Sequence, residues 1–319
     1  MAHDKKYNSI FIECNDELKN VFEEEEMRLE YTYKISSENK AVIQEYINSQ
    51  EHIDPDKFVI ELNDNVPAFT DDEEQLEERG YYFSELDKGR CGVALARISK
   101  STCSQPQDER TTITCKITGF PTKEENDDEH LVFQRCHLIG YQLFAKGNDK
   151  EDNENANKKN LITGTRFMNN VMLYREKMIA DYVDGTENYV LYRVTPYFKG
   201  SNDVAYGVQM EAKFINEQNE EDKTLSFNIF VYNIQPGIIF DYKTGKISSE
   251  ESIDLSRKML KTKRKYVINE KNQKFHIESC ASVYDIKSKN EVTKKGEELI
   301  HGKYCPCEIC IPYWMKGWI

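Results

Sequence analysis

The chain has 319 residues, of which 39% are hydrophobic and 31% charged, and its formal net charge is −13. This length is sufficient for one large domain or for about two to three small ones, and the composition is that of a soluble globular protein. The acidic excess argues against a broadly basic surface of the kind that binds nucleic acid, because phosphate groups require cationic contacts.

Targeting signals and cysteine usage indicate where the chain resides. The first twenty residues lack the apolar core of a secretory signal peptide, and no window approaches the roughly 18 apolar residues that cross a membrane. We therefore predict a cytoplasmic protein, or one exported without a Sec-type signal peptide, and no membrane partner. Nine cysteines are present, and reduced thiols are expected for the five that are dispersed along the chain: Cys14, Cys91, Cys103, Cys115 and Cys136.

The N-terminal part of the chain carries few signals before residue 58. Residues 1–54 include an acidic run at Glu23–Glu26 and are predicted to form an accessory segment with a solvated acidic face. From Phe58 onward, alternating apolar residues and turn signals predict strands in FVIELND, GRCGVALARIS and TTITCKITGFP. Between the first two, DDEEQLEERG predicts a short helix with acidic residues in its first turn and Gly80 at its end.

The middle of the chain holds its most informative stretch, Gln134–Leu143, which reads QRCHLIGYQL. His137 lies there on a predicted apolar strand. Acidic segments flank it, with five acids within Glu124–Glu129 and a polar, Asn-rich loop over residues 147–160 that must lie at the surface. Residues 171–183 predict an amphipathic helix, because a single helical stripe collects its large apolar residues: Val171, Met172, Met178, Ile179 and Tyr182.

Three long strands are predicted next, in YVLYRVTPYF, VAYGVQMEAKFI and LSFNIFVYNI. Short turns rich in Gly, Asn and Asp connect them, which favours a consecutive antiparallel meander and an α+β fold class. After Gly245 the chain becomes basic, and six of the nine residues over 257–265 are Lys or Arg. The predicted organisation is an accessory segment over 1–54, a main domain over 55–247, a basic linker or helix over 248–265 and a small module over 266–319.

Three polar residues suit phosphodiester hydrolysis, which needs a base for the attacking water and a cation for the developing charge. His137 can accept a proton near neutral pH, the Asn160 amide oxygen can bind Mg²⁺ and Glu176 can orient a metal-bound water. Asn160 and Glu176 are 16 residues apart, or about 24 Å along a straight helix. We therefore expect a break between them, at Gly164 or at Asn169–Asn170. The alternatives are a histidine packed on a strand, a helix-capping asparagine and a solvated glutamate.

The ordered blocks that surround these residues resemble the bacterial non-specific DNA/RNA endonucleases, which have the ββα-metal (His-Me finger) fold. The resemblance is carried by RCHLIGYQL, NKKNLITGTRFMN, the MIADYV helix, YVLYRVTPYF and FNIFVYNIQPGIIFDYKTG. The upstream segments VPAF and FSELDKGRCGVALA also match the pattern of the family. Together the blocks cover roughly residues 55–245, about three-fifths of the chain.

The resemblance implies a role for each matching residue. His137 occupies the position of the general base, Asn160 that of the single side-chain ligand of Mg²⁺ (or Mn²⁺), and Glu176 that of the acid that orients metal-bound water. Arg135 falls on the arginine of the motif and Arg166 near the scissile phosphate. Gln134 departs from the common aspartate. A local basic groove is expected to bind DNA, RNA or both weakly and with little sequence specificity, lined by Lys158, Lys159, Arg166, Arg175 and Arg193.

The C-terminal module brings His276, Cys280, Cys307 and Cys310 within 35 residues. Cys307 and Cys310 have the spacing of a zinc knuckle, and the four residues would complete a tetrahedral Zn²⁺ site that is structural rather than catalytic. The pattern FHxxxC…PCxxC resembles small modules appended to bacterial nucleases and is similar to the metal-binding segment of alkylation-repair proteins. Free thiols or an incidental disulfide are the alternatives, and Cys305 could replace one ligand. A redox role is less favoured, because no βαβ pattern surrounds the cysteines.

Two functions of different classes therefore follow from the sequence. The first is a metal-dependent non-specific endonuclease, with toxin, defence and housekeeping nuclease as its candidate biological roles. The second is a non-catalytic nucleic-acid-binding or inhibitor protein built on the same scaffold. An active nuclease endangers its own cell, so we also expect an inhibitor or regulatory protein as a partner, with residues 1–54 as a candidate regulatory element.

Overall fold

The computed structural model describes residues 58–104 apart from 79 and 85, residue 113, and residues 115–121, 132–144 and 158–311. The predicted accessory segment over 1–54, the acidic run Glu124–Glu129 and most of the Asn-rich loop lie outside the described residues. Among the residues described, no helix is long and apolar enough to cross a membrane.

A six-stranded antiparallel sheet forms the centre of the molecule. In chain order, the elements up to its last strand are β1 (Val59–Glu61), helix α1 (Asp71–Glu74), β2 (Tyr81–Phe83), β3 (Ala94–Ser99), β4 (Phe133–His137), β5 (Leu161–Thr165), helix α2 (Arg166–Val183), β6 (Tyr189–Tyr197), β7 (Gly207–Ile215) and β8 (Phe227–Tyr232). The order of strands in the sheet is β1-β8-β7-β6-β3-β2. Neighbouring β6, β7 and β8 are the predicted meander, and the α+β class predicted from the sequence is confirmed.

The β4–β5 hairpin and α2 form a separate ββα unit that packs against this sheet. The two strands pair antiparallel, with Gln134 opposite Gly164 and His137 opposite Leu161. The chain then passes directly into α2, where the Thr165 hydroxyl accepts a hydrogen bond from the Met168 amide at 3.1 Å and caps the helix. The apolar stripe of α2 faces the core, and its buried members are Phe167, Met168, Val171, Met172, Ile179 and Val183.

Three local predictions differ from the structure. The described residues of TTITCKITGFP form no strand, because the carbonyls of Cys115 and Thr118 accept hydrogen bonds from side chains instead. Gly80 does not end the acidic helix, which stops at Glu74 with Gln75 as its C-cap. Asn169–Asn170 lie inside α2, and the break between Asn160 and Glu176 is the transition from strand to helix after Thr165.

A buried ionic network fastens α1 to the main sheet. Arg193 on β6 contacts Glu73 at 2.7 Å and Glu211 at 2.7 Å, and both carboxylates are 1% exposed. Its remaining donors reach the Ala68 carbonyl at 2.6 Å. Arg193 was predicted to line a substrate groove, and the structure contradicts this, because its guanidinium is saturated by partners within the fold.

The C-terminal part of the chain continues the core of the main sheet. It contains β9 (Ile239–Phe240), β10 (Ile247–Ser248), α3 (Ser249–Lys261), β11 (Lys263–Asn269), β12 (Lys274–Ile277), β13 (Lys289–Lys295), α4 (Gly296–His301) and β14 (Cys305–Pro306). Strands β13-β11-β12-β14 form a second sheet. The predicted basic linker is occupied by α3 and the start of β11, and buried Met259 and Leu260 join it to the same hydrophobic cluster as the ββα unit.

Candidate functional site

His137 is the last residue of β4 and is half-buried. Side chains alternate along a strand, so Arg135 and His137 share one face of the hairpin, whereas Gln134 and Cys136 lie on the other. Arg135 is held by the segment before the hairpin: its Nε donates to the Cys115 carbonyl at 3.1 Å, and its guanidinium lies 4.1 Å from the centre of the Phe120 ring. The motif arginine and histidine are thus presented by one short, well-anchored strand.

Asn160 fixes the backbone that follows His137. Its side chain is 1% exposed, its Oδ1 accepts from the Ile139 amide at 2.9 Å, and its Nδ2 donates to the Ile139 carbonyl at 3.0 Å. The Asn160 carbonyl accepts from the Leu138 amide at 2.9 Å. A buried amide that is satisfied at both ends leaves no open approach for a hydrated Mg²⁺ ion. This geometry conflicts with the expectation that Asn160 holds the metal.

Glu176 supports the same turn from the side of the helix. Its Oε1 accepts a hydrogen bond from the Gly140 amide at 2.8 Å, and its carboxyl is 2% exposed. A Cβ atom at position 140 would collide with Glu176 Oε2, so only glycine allows the carboxyl to approach the backbone this closely. The structure therefore joins His137, Asn160 and Glu176 through one turn, residues 137–140.

Burial dominates the electrostatics of Glu176. Desolvation raises its pKa to about 8, against the opposing effects of the Gly140 amide and the Tyr192 hydroxyl. Burial and the nearby Glu176 carboxyl also raise the pKa of the Cys136 thiol, which keeps this neighbour neutral. The Glu176 carboxyl therefore titrates close to neutral pH.

Asn169 lies against the face of the hairpin that carries Gln134, although the sequence suggested it only as a possible helix break. Its Nδ2 donates to Gln134 Oε1 at 2.7 Å, and no described residue donates a hydrogen bond to its Oδ1. It is half-buried in the first turns of α2. Asparagine is a weak helix former. Its presence inside a helix was the signal in the sequence that its side chain has a role other than forming the helix.

The other side chains predicted for the site differ in their burial and in their contacts. Lys158 and Lys159 immediately precede Asn160 and are exposed and half-buried, respectively. Arg166 is half-buried at the first position of α2, where its amide donates to the Val132 carbonyl at 2.8 Å. The Arg175 guanidinium instead lies 5.0 Å from the Phe227 ring centre and faces the main sheet.

The His/Cys cluster predicted from the sequence is assembled in the second sheet. The ligand atoms of His276, Cys280, Cys307 and Cys310 all lie within 4.8 Å of one another, and all four residues are buried. Neither ring nitrogen of His276 has a hydrogen-bond partner. Two buried, unpaired polar nitrogens are costly unless a cation binds one of them. Three thiols and an imidazole at this separation fit a tetrahedral metal ion, and none of the three cysteines is in a disulfide.

Both loops of this cluster contact the first turn of α2. Asn170 Oδ1 accepts from the Ser282 amide at 3.1 Å, next to Cys280. Gln235 Nε2 donates to the Ile309 carbonyl at 2.6 Å, between Cys307 and Cys310, while its Oε1 accepts from the Phe167 amide at 3.2 Å. Further along the helix, the rings of Tyr174 and Tyr284 stack at 4.3 Å. The cluster is therefore attached to the helix that carries Asn169 and Glu176.

A hairpin that passes directly into a helix, with histidine at the end of its first strand, is the arrangement that the resemblance to the ββα-metal nucleases predicts. Residues 72–216 match the family described as DNA/RNA non-specific endonuclease. The resemblance inferred from the sequence is therefore confirmed for this part of the chain. The match supports a nuclease function, which implies a nucleic-acid substrate.

The chain is similar to solved structures of nucleases. NucA from Streptococcus agalactiae with magnesium ion bound is 27% identical, with 60% of this chain and 86% of NucA covered and a TM-score of 0.49. The metal-free form of NucA is 25% identical over the same shares, also with a TM-score of 0.49. The Sda1 nuclease with bound zinc ion is 19% identical, with 61% and 98% covered and a TM-score of 0.47.

The raised pKa of Glu176 predicts a specific pH dependence of stability. Its pKa in the fold, about 8, exceeds the ordinary value of 4.5, so the folded protein holds more protons than the unfolded chain between these values. Stability contributed by the neutral carboxyl is therefore lost as pH rises through this window. As the pH rises from 5 to 8.5, the unfolding free energy of Glu176→Gln should increase by about 2–4 kcal/mol relative to that of the wild type.

Urea unfolding of both proteins across this pH range, without added divalent cations, measures the difference. Asp181→Asn, an exposed neutralisation on the same helix, is the matched control and should follow the wild-type curve. Parallel curves for Glu176→Gln and wild type would show that Glu176 ionises normally in the folded protein.

Proposed function

We propose that the chain is a metal-dependent endonuclease that hydrolyses phosphodiester bonds of DNA, RNA or both without sequence specificity. The observation that carries the proposal is the position of His137 at the end of β4, on a turn braced by both Asn160 and Glu176. A general base must be held at a fixed distance from the water that it deprotonates, and these two buried contacts restrict its backbone.

His137 is the general base of the proposed reaction. It takes the proton of the attacking water, while Arg135 and Arg166 face the charge of the scissile phosphate. Mg²⁺ (or Mn²⁺), when bound, supplies the positive charge that stabilises the phosphate and the leaving oxygen.

The geometry favours Asn169 over Asn160 as the amide that would hold this cation. Asn169 is half-buried, and its amide nitrogen already donates to Gln134 at 2.7 Å, which directs the amide oxygen away from that contact. An amide oxygen is a hard ligand of the type that Mg²⁺ prefers, with waters completing its octahedron. Asn160 is then a positioning residue that fixes the turn after His137.

Glu176 is likewise proposed to act through the backbone of this turn. Its carboxyl is 2% exposed and bonded to the Gly140 amide, which suits a brace better than the role of orienting metal-bound water that the family resemblance implies. Substrate contacts are assigned to Lys158 and Lys159, which precede Asn160. Arg175, which packs against Phe227, is left out of the substrate site.

We further propose that His276, Cys280, Cys307 and Cys310 hold a structural Zn²⁺ ion. Four protein ligands leave no open coordination position, so such a site contributes to folding rather than to catalysis. Its two loops are hydrogen-bonded through Asn170 and Gln235 to the first turn of α2. The zinc would therefore also fix the helix that carries Asn169.

The first prediction tests the enzyme itself. Purified wild-type protein with Mg²⁺ or Mn²⁺ should degrade both plasmid DNA and RNA, or one of them. His137→Ala should lose at least about 100-fold in rate, the usual effect of removing a general base, with an unchanged melting temperature. No cleavage by the wild type would favour the alternative function, a non-catalytic nucleic-acid-binding or inhibitor protein.

The second prediction separates the two asparagines. Asn169→Ala should raise the Mg²⁺ concentration for half-maximal cleavage by about tenfold or more, because it removes a ligand of the cation. Asn160→Ala should leave this concentration unchanged and lower stability by about 2–3 kcal/mol, since two backbone groups of Ile139 lose their buried partner. A shifted Mg²⁺ dependence in Asn160→Ala, with none in Asn169→Ala, would restore the assignment of the metal to Asn160.

The third prediction concerns the His/Cys cluster. Wild-type protein should contain one zinc per chain by elemental analysis, and Cys307→Ser/Cys310→Ser should lose it and melt at a lower temperature. Backbone amides of the first turn of α2 should then exchange faster with deuterium, because the loop that holds Gln235 is released. Cys305→Ser, an exposed cysteine outside the cluster, is the matched control. Loss of zinc from this control alone would contradict the proposed ligand set.

A further inference from the structure

Gln134 and Asn169 form a polar contact between strand β4 and helix α2. Asn169 Nδ2 donates to Gln134 Oε1 at 2.7 Å, and both side chains are half-buried. Among the residues that the structure describes, neither side chain has another hydrogen-bond partner. The amide oxygen of Asn169, the candidate ligand of the cation, is therefore oriented by Gln134.

Close packing of the helix against the hairpin brings these two amides together. Gly164 lies directly opposite Gln134 on the paired strand. A Cβ atom at position 164 would lie 2.5 Å from Cys136 Sγ and 2.6 Å from Met168 Cε, so a side chain there would push α2 away from the strands. Asn169 follows Met168 in the helix, and the same packing therefore sets the distance between its amide and Gln134.

A purely structural role does not account for this pair of amides. The hairpin and α2 are already fastened by the buried apolar stripe of the helix, by the Thr165 cap and by the Arg166 amide, which donates to the Val132 carbonyl at 2.8 Å. One hydrogen bond between neutral amides adds little to these contacts, and two apolar groups of the same shape would serve nearly as well. The effect of the pair on the Asn169 oxygen is the better explanation.

Two facing amides have two alternative arrangements. In the structure, Asn169 donates, and its oxygen takes no part in the contact. If both amides turn by about 180°, Gln134 Nε2 donates to Asn169 Oδ1, with the same shape and the same number of hydrogen bonds. This second arrangement occupies the oxygen that a cation needs. Since no other described group bonds either amide, the described fold does not strongly favour one arrangement over the other.

We infer that Gln134 is a positioning residue that sets the cation affinity of the site, because a neutral amide leaves Asn169 in exchange between a binding arrangement and a blocked one. The inference rests on the proposed function for the assignment of the cation to Asn169. Only the arrangement with a free oxygen accepts a cation, so the observed affinity is reduced by the fraction of molecules in the other one. Gln134 thereby keeps the affinity below that of a site with a fixed ligand.

Two substitutions of Gln134 separate orientation from packing. Gln134→Glu keeps the shape and, when ionised, can only accept, so it holds Asn169 in the binding arrangement and adds a negative charge near the cation. Gln134→Met has a similar length but only a weak acceptor, and it leaves the Asn169 amide unrestrained. The matched control is Gln273→Glu, which adds the same charge at an exposed position in a turn with Lys271 and Lys274.

The first measurement is Mn²⁺ binding without nucleic acid, followed by electron paramagnetic resonance, and the site is identified as the one that Asn169→Ala removes. Relative to wild type, Gln134→Met should bind Mn²⁺ there about threefold more weakly and Gln134→Glu about tenfold more tightly. Gln273→Glu should match the wild type. In cleavage, the Mg²⁺ concentration for half-maximal rate should shift in the same directions, with little change in the rate at saturating Mg²⁺.

The positioning role requires opposite shifts in the two variants of Gln134, and any other pattern overturns it. Tighter binding by Gln134→Glu without a loss in Gln134→Met would be an effect of charge alone. Equal weakening in both, with lower melting temperatures, would be a packing effect.

The proposed function is tested separately by the same proteins. If Asn169→Ala binds Mn²⁺ like the wild type, the assignment of the cation to Asn169 fails and the role of Gln134 fails with it. If Asn169→Ala loses the site but the variants of Gln134 do not shift it, only the role of Gln134 fails. If the shifts are opposite but the wild type cleaves no nucleic acid, the nuclease function fails and the role of Gln134 stands.

Discussion

The hydrogen bond from the Gly140 amide to the buried Glu176 carboxyl, 2.8 Å long, joins helix α2 to the turn that follows His137. A carboxyl buried to this extent resists ionisation, and its pKa rises to about 8. The backbone can come this close only because position 140 has no side chain. Asn160 holds the preceding residue, Ile139, at both of its backbone groups. The backbone that follows the candidate base, His137, therefore has little conformational freedom.

Helix α2 connects this turn to the second functional element of the molecule. One of its sides carries Glu176 and Asn169 toward the β4–β5 hairpin, and its first turn is bonded to both loops of the His/Cys cluster through Asn170 and Gln235. A metal ion in that cluster would thus stabilise the helix on which the ββα unit depends.

Features recorded in local sequence patterns were predicted correctly, whereas contacts between distant residues were not. The meander of β6, β7 and β8, the helix over residues 171–183 and the α+β class were predicted correctly, because alternation and helical periodicity record which face is buried. The His/Cys cluster was also predicted, since four ligands at zinc-like spacing are unusual. Arg193 was misassigned, because nothing near it in the chain indicates that Glu73 and Glu211 saturate its guanidinium.

By itself, the sequence determined the meander of β6, β7 and β8, the amphipathic helix, the motif that contains His137 and the identity of the four cluster residues. Only the tertiary structure decided what each polar side chain does. The sequence position of Asn160 suggested that it binds a cation. However, its side-chain oxygen and nitrogen are both hydrogen-bonded to the backbone of Ile139. Asn169, which the sequence suggested as a helix break, lies on helix α2 and donates a hydrogen bond to Gln134 of β4. A side-chain role depends on which donors and acceptors remain unpaired after folding, and long-range packing sets that.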